Sequence, residues 1–555
     1  MKSTIQKKEG LILGTIIFIA VLFKGMVSLF QYGVGWDEPN YLMLAKSFAE
    51  GHIGHGLHPY WSPMYPVCVA LFSFVFRNIE LSGRLVSLVA GTVILIPLYI
   101  LSRSVFNRKI ALWSVGLLAF YPPFAFLSTS AWTEPTYICF AIFGIYWGWQ
   151  YLNHHRIINA VLAGLFFGFG YLTKPEGVGH FLVLFLIVLG QLLLNVKYRR
   201  HNALLLFLYT LSFFVVAFPY MDYLKQQTGQ WTLSAKVQSN QQFEANAFSE
   251  QADQYDFDSL SSDNTQLPMD MIFHQGDFLN SINEGDGPQR NLGIGLLLTK
   301  YSTNLFKLWQ EAIPNLFGFV LLMLSILGLF KQVWTKENFL LHLFLLSFIL
   351  FYWMIVIPLF HINDRYLYPG FILSFIWMGK GLTEFQIWIT KNLEILIAGF
   401  KRAVSPKIIS YLGSGIAIFV VLLLTYIPEM GKIVKRDPAS SYLYANAVEL
   451  KRAGHWIQSH SNTTPVIMSY NKAVDFYAGC WDIRKCVSFS NNSIDRILAY
   501  AKYKKVDFIV LSNRYSPYFP NLDVLFSKWE SFPELHLVYS ESGTIELRIF
   551  KLLVE

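Results

Sequence analysis

Four short stretches and one lone arginine set acids and bases side by side at the ends of apolar runs. The stretches are Trp36-Asp37-Glu38-Pro39-Asn40-Tyr41, Thr133-Glu134-Pro135, Thr173-Lys174-Pro175-Glu176-Gly177 and His361-Ile362-Asn363-Asp364-Arg365-Tyr366-Leu367-Tyr368-Pro369. The arginine is Arg84. Carboxylates such as Asp37, Glu38 and Glu134 can act as a general base or bind a metal. Lys174, Arg365 and Arg84 can hold a phosphate, and arginine suits bidentate contact. Glu176, His361, Asp364 and Tyr366 stand beside these cations in sequence. A half-buried place near lipid strengthens such charges by lowering the local dielectric. Acids and phosphate-holding bases at a membrane surface suggest transfer of a group from a lipid phosphate.

Each residue alone has a plainer reading. Asp37 can be a solvated carboxylate at a span end, and Glu134 an acidic charge favoured at a helix N-terminus. Lys174 and Arg84 can snorkel toward the interface, and Arg365 can pair with Asp364. Lys24, inside the first apolar run, either snorkels or lines a cavity. The histidines at 52, 55 and 58 are spaced by threes, which matches no tight zinc motif. The adjacent pair Asp37-Glu38 followed by Pro39 weakens the plain reading, because two charges at a membrane boundary are costly without a use.

The elements that position these residues are membrane helices. Of 555 residues, 54% are hydrophobic and only 14% charged, against about 25% charged in a soluble domain. The 4 cysteines and 37 glycines exclude a disulfide scaffold and collagen. Eleven runs are apolar enough to span, near 11–31, 82–102, 110–128, 135–152, 157–173, 178–196, 202–220, 312–330, 338–360, 366–385 and 407–427. The run 64–76 is too short to span and reads as an interfacial helix. Basic residues gather in alternate short loops, among them Lys2, Lys7 and Lys8, then Arg103, Arg108 and Lys109, then Lys197, Arg199 and Arg200. The positive-inside rule then puts the N-terminus in the cytoplasm, with no cleavable signal peptide. It also puts the four stretches and Arg84 on the outer side, and eleven spans carry the C-terminus there too. The net charge of +8 sits in these short loops and does not suggest nucleic acid.

The expected division is a transmembrane catalytic domain at 1–430 and a soluble extracytoplasmic α/β domain at 431–555. Within the first, 32–80 forms the first outward loop, and 221–300 a long outward loop with eleven acidic residues against four basic ones. In the second, Asp437-Pro438 resembles an N-cap with proline at the first helical position, opening a helix to about His460. Strands are expected at 465–469, 486–488, 506–512, 535–539 and 544–550, with helices near 472–479 and 492–504. Their alternation suggests βαβ units, and Cys480 and Cys486 could form a disulfide.

These motifs resemble the GT-C superfamily of membrane glycosyltransferases, in the branch of protein O-mannosyltransferases and bacterial lipid A aminoarabinose transferases. The resemblance covers about residues 1–430. It rests on Asp37-Glu38, Tyr60-Trp61-Ser62-Pro63-Met64-Tyr65-Pro66, Gly83-Arg84-Leu85, Thr133-Glu134-Pro135, Leu172-Thr173-Lys174-Pro175-Glu176-Gly177 and Arg365-Tyr366-Leu367-Tyr368-Pro369, in that order. It implies an inverting transferase that moves a sugar from a polyprenyl phosphate to a lipid, glycan or protein. Asp37 would be the base; Glu38 and Glu134 would bind the acceptor or shape the base; Lys174, Arg365 and Arg84 would stabilise the leaving phosphate. Where aminoarabinose transferases carry a phosphate-binding lysine in the first outward loop, this chain offers His58 and Tyr60. The C-terminal domain also differs from that of eukaryotic protein O-mannosyltransferases, which points to a bacterial inner-membrane enzyme.

The resemblance implies no tightly bound cofactor, with the lipid-linked sugar as co-substrate. A divalent metal is possible but not indicated. The partners implied are the bilayer, the donor lipid and the acceptor. The competing readings are a transporter or flippase of a lipid-linked envelope precursor, and a non-catalytic envelope assembly protein.

Overall fold

All eleven apolar runs fall on helices in the computed structural model. It describes residues 2–35, 37–194, 199–235, 294–331, 334–359, 362, 364–399, 404–435, 448–487, 489, 494–513, 520–543 and 545–553. Among these, seven helices are long and apolar enough to cross a membrane: Glu9–Ser28, Ile79–Val105, Gly177–Leu194, Arg199–Thr228, Leu298–Phe330, Asn338–Leu359 and Pro406–Lys435. The other four runs are built differently. The run at 110–128 is broken into Arg108–Ala119 and Pro122–Leu127, because Pro122 and Pro123 cannot donate backbone bonds but can open a new helix. Ile157–Thr173 is apolar but short. Glu134–His154 has 21 residues, and Asp364–Gly399 has 36.

The expected outward loop at 221–300 begins and ends as helix. The helix Arg199–Thr228 runs past the predicted end at 220, and Ile294–Lys307 closes the segment. The intervening acidic stretch lies outside the described residues, as does Asp437-Pro438.

The chain divides into two compact units. The first comprises Met1–Phe30, Arg84–Ala217 and Ile294–Tyr444. Its long helix Asp364–Gly399 packs on Ile313–Phe330 and Arg108–Ala119. Gly328 and Gly381 allow the close approach, since a Cβ at either would collide with the carbonyl of Trp377 or Leu324. Lys24 does not snorkel. Its ammonium is fully buried, donates to the Gly91 carbonyl at 2.6 Å and lies 5.1 Å over the Phe124 ring.

The second unit comprises Gln31–Gly83, Phe218–Gly293 and Ala445–Glu555. It holds the helix Glu38–Ala49, the 13-residue helix Met64–Phe76 at the predicted bounds, and a four-stranded sheet. The strands are β1 (Ile467–Ser469), β2 (Phe508–Ser512), β3 (Leu535–Ser542) and β4 (Glu546–Leu552), in the order β1-β2-β4-β3. β1 and β2 are parallel, with Ile467 opposite Phe508, as a βαβ connection requires. β4 is antiparallel to both β2 and β3. Of the strand expected at 486–488, Ser488 lies outside the described residues, and the described part makes one bridge, between Met468 and Val487. The Val487 carbonyl also takes the Lys472 ammonium at 2.8 Å. The core under the sheet is formed by Met468, Ile509, Leu511 and Phe550 with Ile497, Leu498 and Ala501 of the helix Ile494–Tyr503.

Candidate functional site

In the first unit the structure brings together four of the predicted residues, Glu134, Lys174, Arg365 and Tyr366. Glu134 opens the helix Glu134–His154, with Thr133 as N-cap and Pro135 behind it. Lys174 caps the C-terminus of Ile157–Thr173 in extended backbone. Arg365 sits in the first turn of Asp364–Gly399. The Lys174 ammonium donates to Glu134 Oε1 at 2.7 Å, and Arg365 Nε is 3.7 Å from the same oxygen. The Glu134 and Lys174 side chains are only 2% and 9% exposed, so neither solvation nor snorkelling describes them. Thr133 Oγ1 donates to Glu134 Oε2 at 3.3 Å.

Aromatic rings bracket the cations. The Arg365 guanidinium lies 4.9 Å from the Trp132 ring and 5.1 Å from the Tyr366 ring. The Lys174 ammonium lies 4.7 Å from Tyr366, and Arg365 Nη2 donates to the Tyr366 hydroxyl at 3.3 Å. Buried cations gain most from ring faces when water is excluded. Trp132 was not among the predicted residues, although it directly precedes Thr133-Glu134-Pro135. Two cations share one carboxylate, so the trio has a formal charge of +1. An anion such as a phosphate fits that charge and Arg365's fork of donors. Glu176 is half-buried, and its Oε2 has no hydrogen-bond partner among the described residues. Arg84 is half-buried on the helix Ile79–Val93. Asp364 begins its helix, and His361 lies outside the described residues.

The second unit holds the other predicted group. Asp37 is the half-buried N-cap of Glu38–Ala49, and its side chain makes no cap hydrogen bond. Glu38, buried beside it, accepts the Gly35 N–H at 2.7 Å and fixes the turn. Two adjacent carboxylates therefore differ in use: Glu38 braces its own backbone. His58 is buried, and its Nδ1 accepts the Tyr60 N–H at 3.0 Å. Its carbonyl accepts from the Tyr220 hydroxyl at 3.0 Å. Half-buried Tyr60 packs edge-on against Trp61.

One group of potential metal ligands occurs among the described residues: Asp475, Cys480 and Cys486, all buried and within 4.8 Å of one another. Each has protein partners. Ser469 Oγ donates to Asp475 Oδ2 at 2.5 Å, Cys480 donates to the Pro465 carbonyl and Cys486 to that of Asp482. Hydrogen bonding with Cys480, then burial, holds the Cys486 thiol well above its usual range. Burial raises the Asp475 carboxyl, while Lys472 and Ser469 oppose it. Both cysteines are free thiols.

Residues 58–221 match the sequence model of the dolichyl-phosphate-mannose-protein mannosyltransferase family. No curated protein sequence matches the chain. Two groups of solved structures do resemble it. The Archaeoglobus fulgidus oligosaccharyltransferase AglB, solved with an inhibitory peptide and a dolichol-phosphate, is 14% identical with a TM-score of 0.55; the match covers 96% of this chain and 74% of AglB. ArnT from Cupriavidus metallidurans, bound to undecaprenyl phosphate, is 13% identical with a TM-score of 0.52; the match covers 96% of this chain and 97% of ArnT. At these identities the likeness is one of fold, shared with both proteins over 96% of this chain. The resemblance drawn from the motifs is borne out, and with it the membrane-embedded helical architecture. The family match at 58–221 takes in His58, Tyr60, Arg84, Glu134, Lys174 and Glu176, while Asp37 and Arg365 lie outside it.

Proposed function

We propose that this chain is an inverting glycosyltransferase that takes its sugar from a polyprenyl phosphate on the outer face of a bacterial inner membrane. The N-terminus is then cytoplasmic and the C-terminal α/β region extracytoplasmic. The observation that carries the reading is the buried Glu134–Lys174–Arg365 cluster. A carboxylate that fixes two cations in a protected place keeps them preorganised for a phosphate, so no reorganisation is needed as charge develops. The family match and the GT-C fold support the same chemistry.

The step balances as follows. The Asp37 carboxylate takes the proton of an acceptor hydroxyl. The acceptor oxygen forms a bond to the anomeric carbon from the face opposite the phosphate. The bond between that carbon and the phosphate oxygen breaks, and the electron pair leaves with the polyprenyl phosphate. Lys174 and Arg365, with Arg84 in support, neutralise the charge that gathers there. Glu134 orients the cations, and Glu38 holds the turn that presents Asp37. Glu176, Tyr366, His58, Tyr60, His361 and Asp364 support the two groups. The acceptor is a lipid, glycan or protein hydroxyl.

The test supplies the full chain in proteoliposomes with labelled sugars on undecaprenyl and dolichyl phosphate. Comparing envelope lipids, glycans and glycoproteins of strains with and without the protein names the acceptor. The expected result is transfer from at least one donor and one missing sugar in the envelope. Directional flux of a lipid-linked precursor without a covalent product would overturn the reading.

A further inference from the structure

Tyr477 ends the short helix Ala473–Tyr477 and is 6% exposed. Its hydroxyl has two partners far away in sequence. It accepts the N–H of Val34 at 2.9 Å and donates to Glu80 Oε2 at 3.0 Å. Lys451, on the helix Val448–Ser459, places its ammonium 3.6 Å from the same Glu80 oxygen. That ammonium also lies 4.8 Å over the Tyr477 ring. The backbone comes close here: a Cβ on Gly33 would stand 3.3 Å from the Tyr477 hydroxyl and 3.7 Å from Lys451 Cδ. All of these residues belong to the second unit.

Val34 stands three residues before Asp37. Its buried N–H lies outside helix and strand, where such a donor needs a partner, and Tyr477 supplies it. The next N–H, of Gly35, goes to Glu38. Two consecutive amides are thus anchored by side chains just before the Asp37 turn. Beyond the turn, the helix Glu38–Ala49 packs on Ala473–Tyr477, and the Lys46 ammonium lies 5.7 Å from the Trp481 ring.

We propose that Tyr477 is a positioning residue for Asp37, with Glu80 and Lys451 orienting its hydroxyl. The C-terminal α/β region is then part of the catalytic assembly and not an appendage to it. This rests on the reading of Asp37 as the base. A base must lie within hydrogen-bond reach of the proton it takes, and a misplacement of about 1 Å can cost about 100-fold in rate. The Tyr477 hydroxyl controls that placement from a distance and touches no substrate.

The test is Tyr477→Phe in the full chain, with three readouts. These are amide hydrogen exchange across residues 31–38, kcat and KM for a polyprenyl-phosphate sugar, and thermal stability. We expect faster exchange at Val34 and a fall in kcat of about tenfold or more, with donor KM close to wild type. Glu80→Gln keeps an accepting oxygen and should retain most of kcat. Wild-type kcat in Tyr477→Phe overturns the proposal, and so does a fall that only follows the amount of folded protein. If the wild type transfers no sugar from any donor, the functional reading fails and Asp37 has no base role to position. The exchange result at Val34 then still reports whether the contact exists.

Discussion

Two acid-proline helix starts in this molecule have different partners. At Thr133-Glu134-Pro135 the carboxylate is buried, and its oxygen Oε1 serves Lys174 at 2.7 Å and Arg365 at 3.7 Å. At Asp37-Glu38-Pro39 the buried Glu38 braces the Gly35 backbone, while the side chain of half-buried Asp37 makes no cap hydrogen bond. The same local sequence logic, an acid ahead of proline at a helix N-terminus, yields an anchor for cations in one place and, in the proposed reaction, the proton acceptor in the other. The difference comes from what the rest of the chain brings near. Glu134 is committed to two cations, whereas Asp37 stands half-buried at its helix start.

Substitutions can break this contrast. The largest effect is expected from Asp37→Asn, which keeps the shape but removes the base. General-base catalysis contributes roughly 10²–10⁴-fold, so kcat should fall by about that factor while the folded yield and thermal midpoint stay near wild type. Glu134→Ala should behave in the reverse sense. It leaves buried Lys174 and half-buried Arg365 without their shared partner, at a cost of up to about 3–5 kcal/mol. Thermal denaturation should show a large loss of stability before any kinetic comparison is made. If Asp37→Asn proved unstable and Glu134→Ala stable, the two roles would be exchanged.

Smaller effects sharpen the picture. Arg365→Lys keeps the charge but loses the flat stacking on Trp132 and Tyr366. A loss of about 1 kcal/mol, equivalent to about fivefold weaker donor binding, should appear in donor KM. An unchanged KM would show that the aromatic bracket does not tune the phosphate site. Lys24→Met is the control cation. Lys24 is bonded to a carbonyl and to no acid, and the described structure gives it no part in either group. Transfer rates of the folded variant should stay close to wild type, and a loss comparable to that of Arg365→Lys would contradict this placement.

Much of the membrane architecture was legible because apolar periodicity is local. All eleven runs fall on helices, and the bounds of Met64–Phe76 came out as read. The breaks were less legible. The split at Pro122-Pro123 divided one expected run into two helices, although the two prolines are plain in the sequence. The ion cluster of Glu134, Lys174 and Arg365 is not legible in the sequence, since their meeting depends on three separate helix ends. Trp132 was readable in hindsight, being adjacent to the motif. Tyr477 was not, because 443 residues separate it from Val34 and no local spacing signals that pairing. The strand expected at 486–488 has the right composition, but the structure gives it a single bridge to Met468.

The central claim is that sugar leaves a polyprenyl phosphate while Asp37 takes the acceptor proton. The most direct measurement counts both products in proteoliposomes, labelled sugar on the acceptor and free polyprenyl phosphate, for wild type and Asp37→Asn. The two products should rise in equal amounts in the wild type, and both should nearly vanish in the folded variant. Wild-type-level transfer by Asp37→Asn, or polyprenyl phosphate released without a glycosylated product, would contradict it.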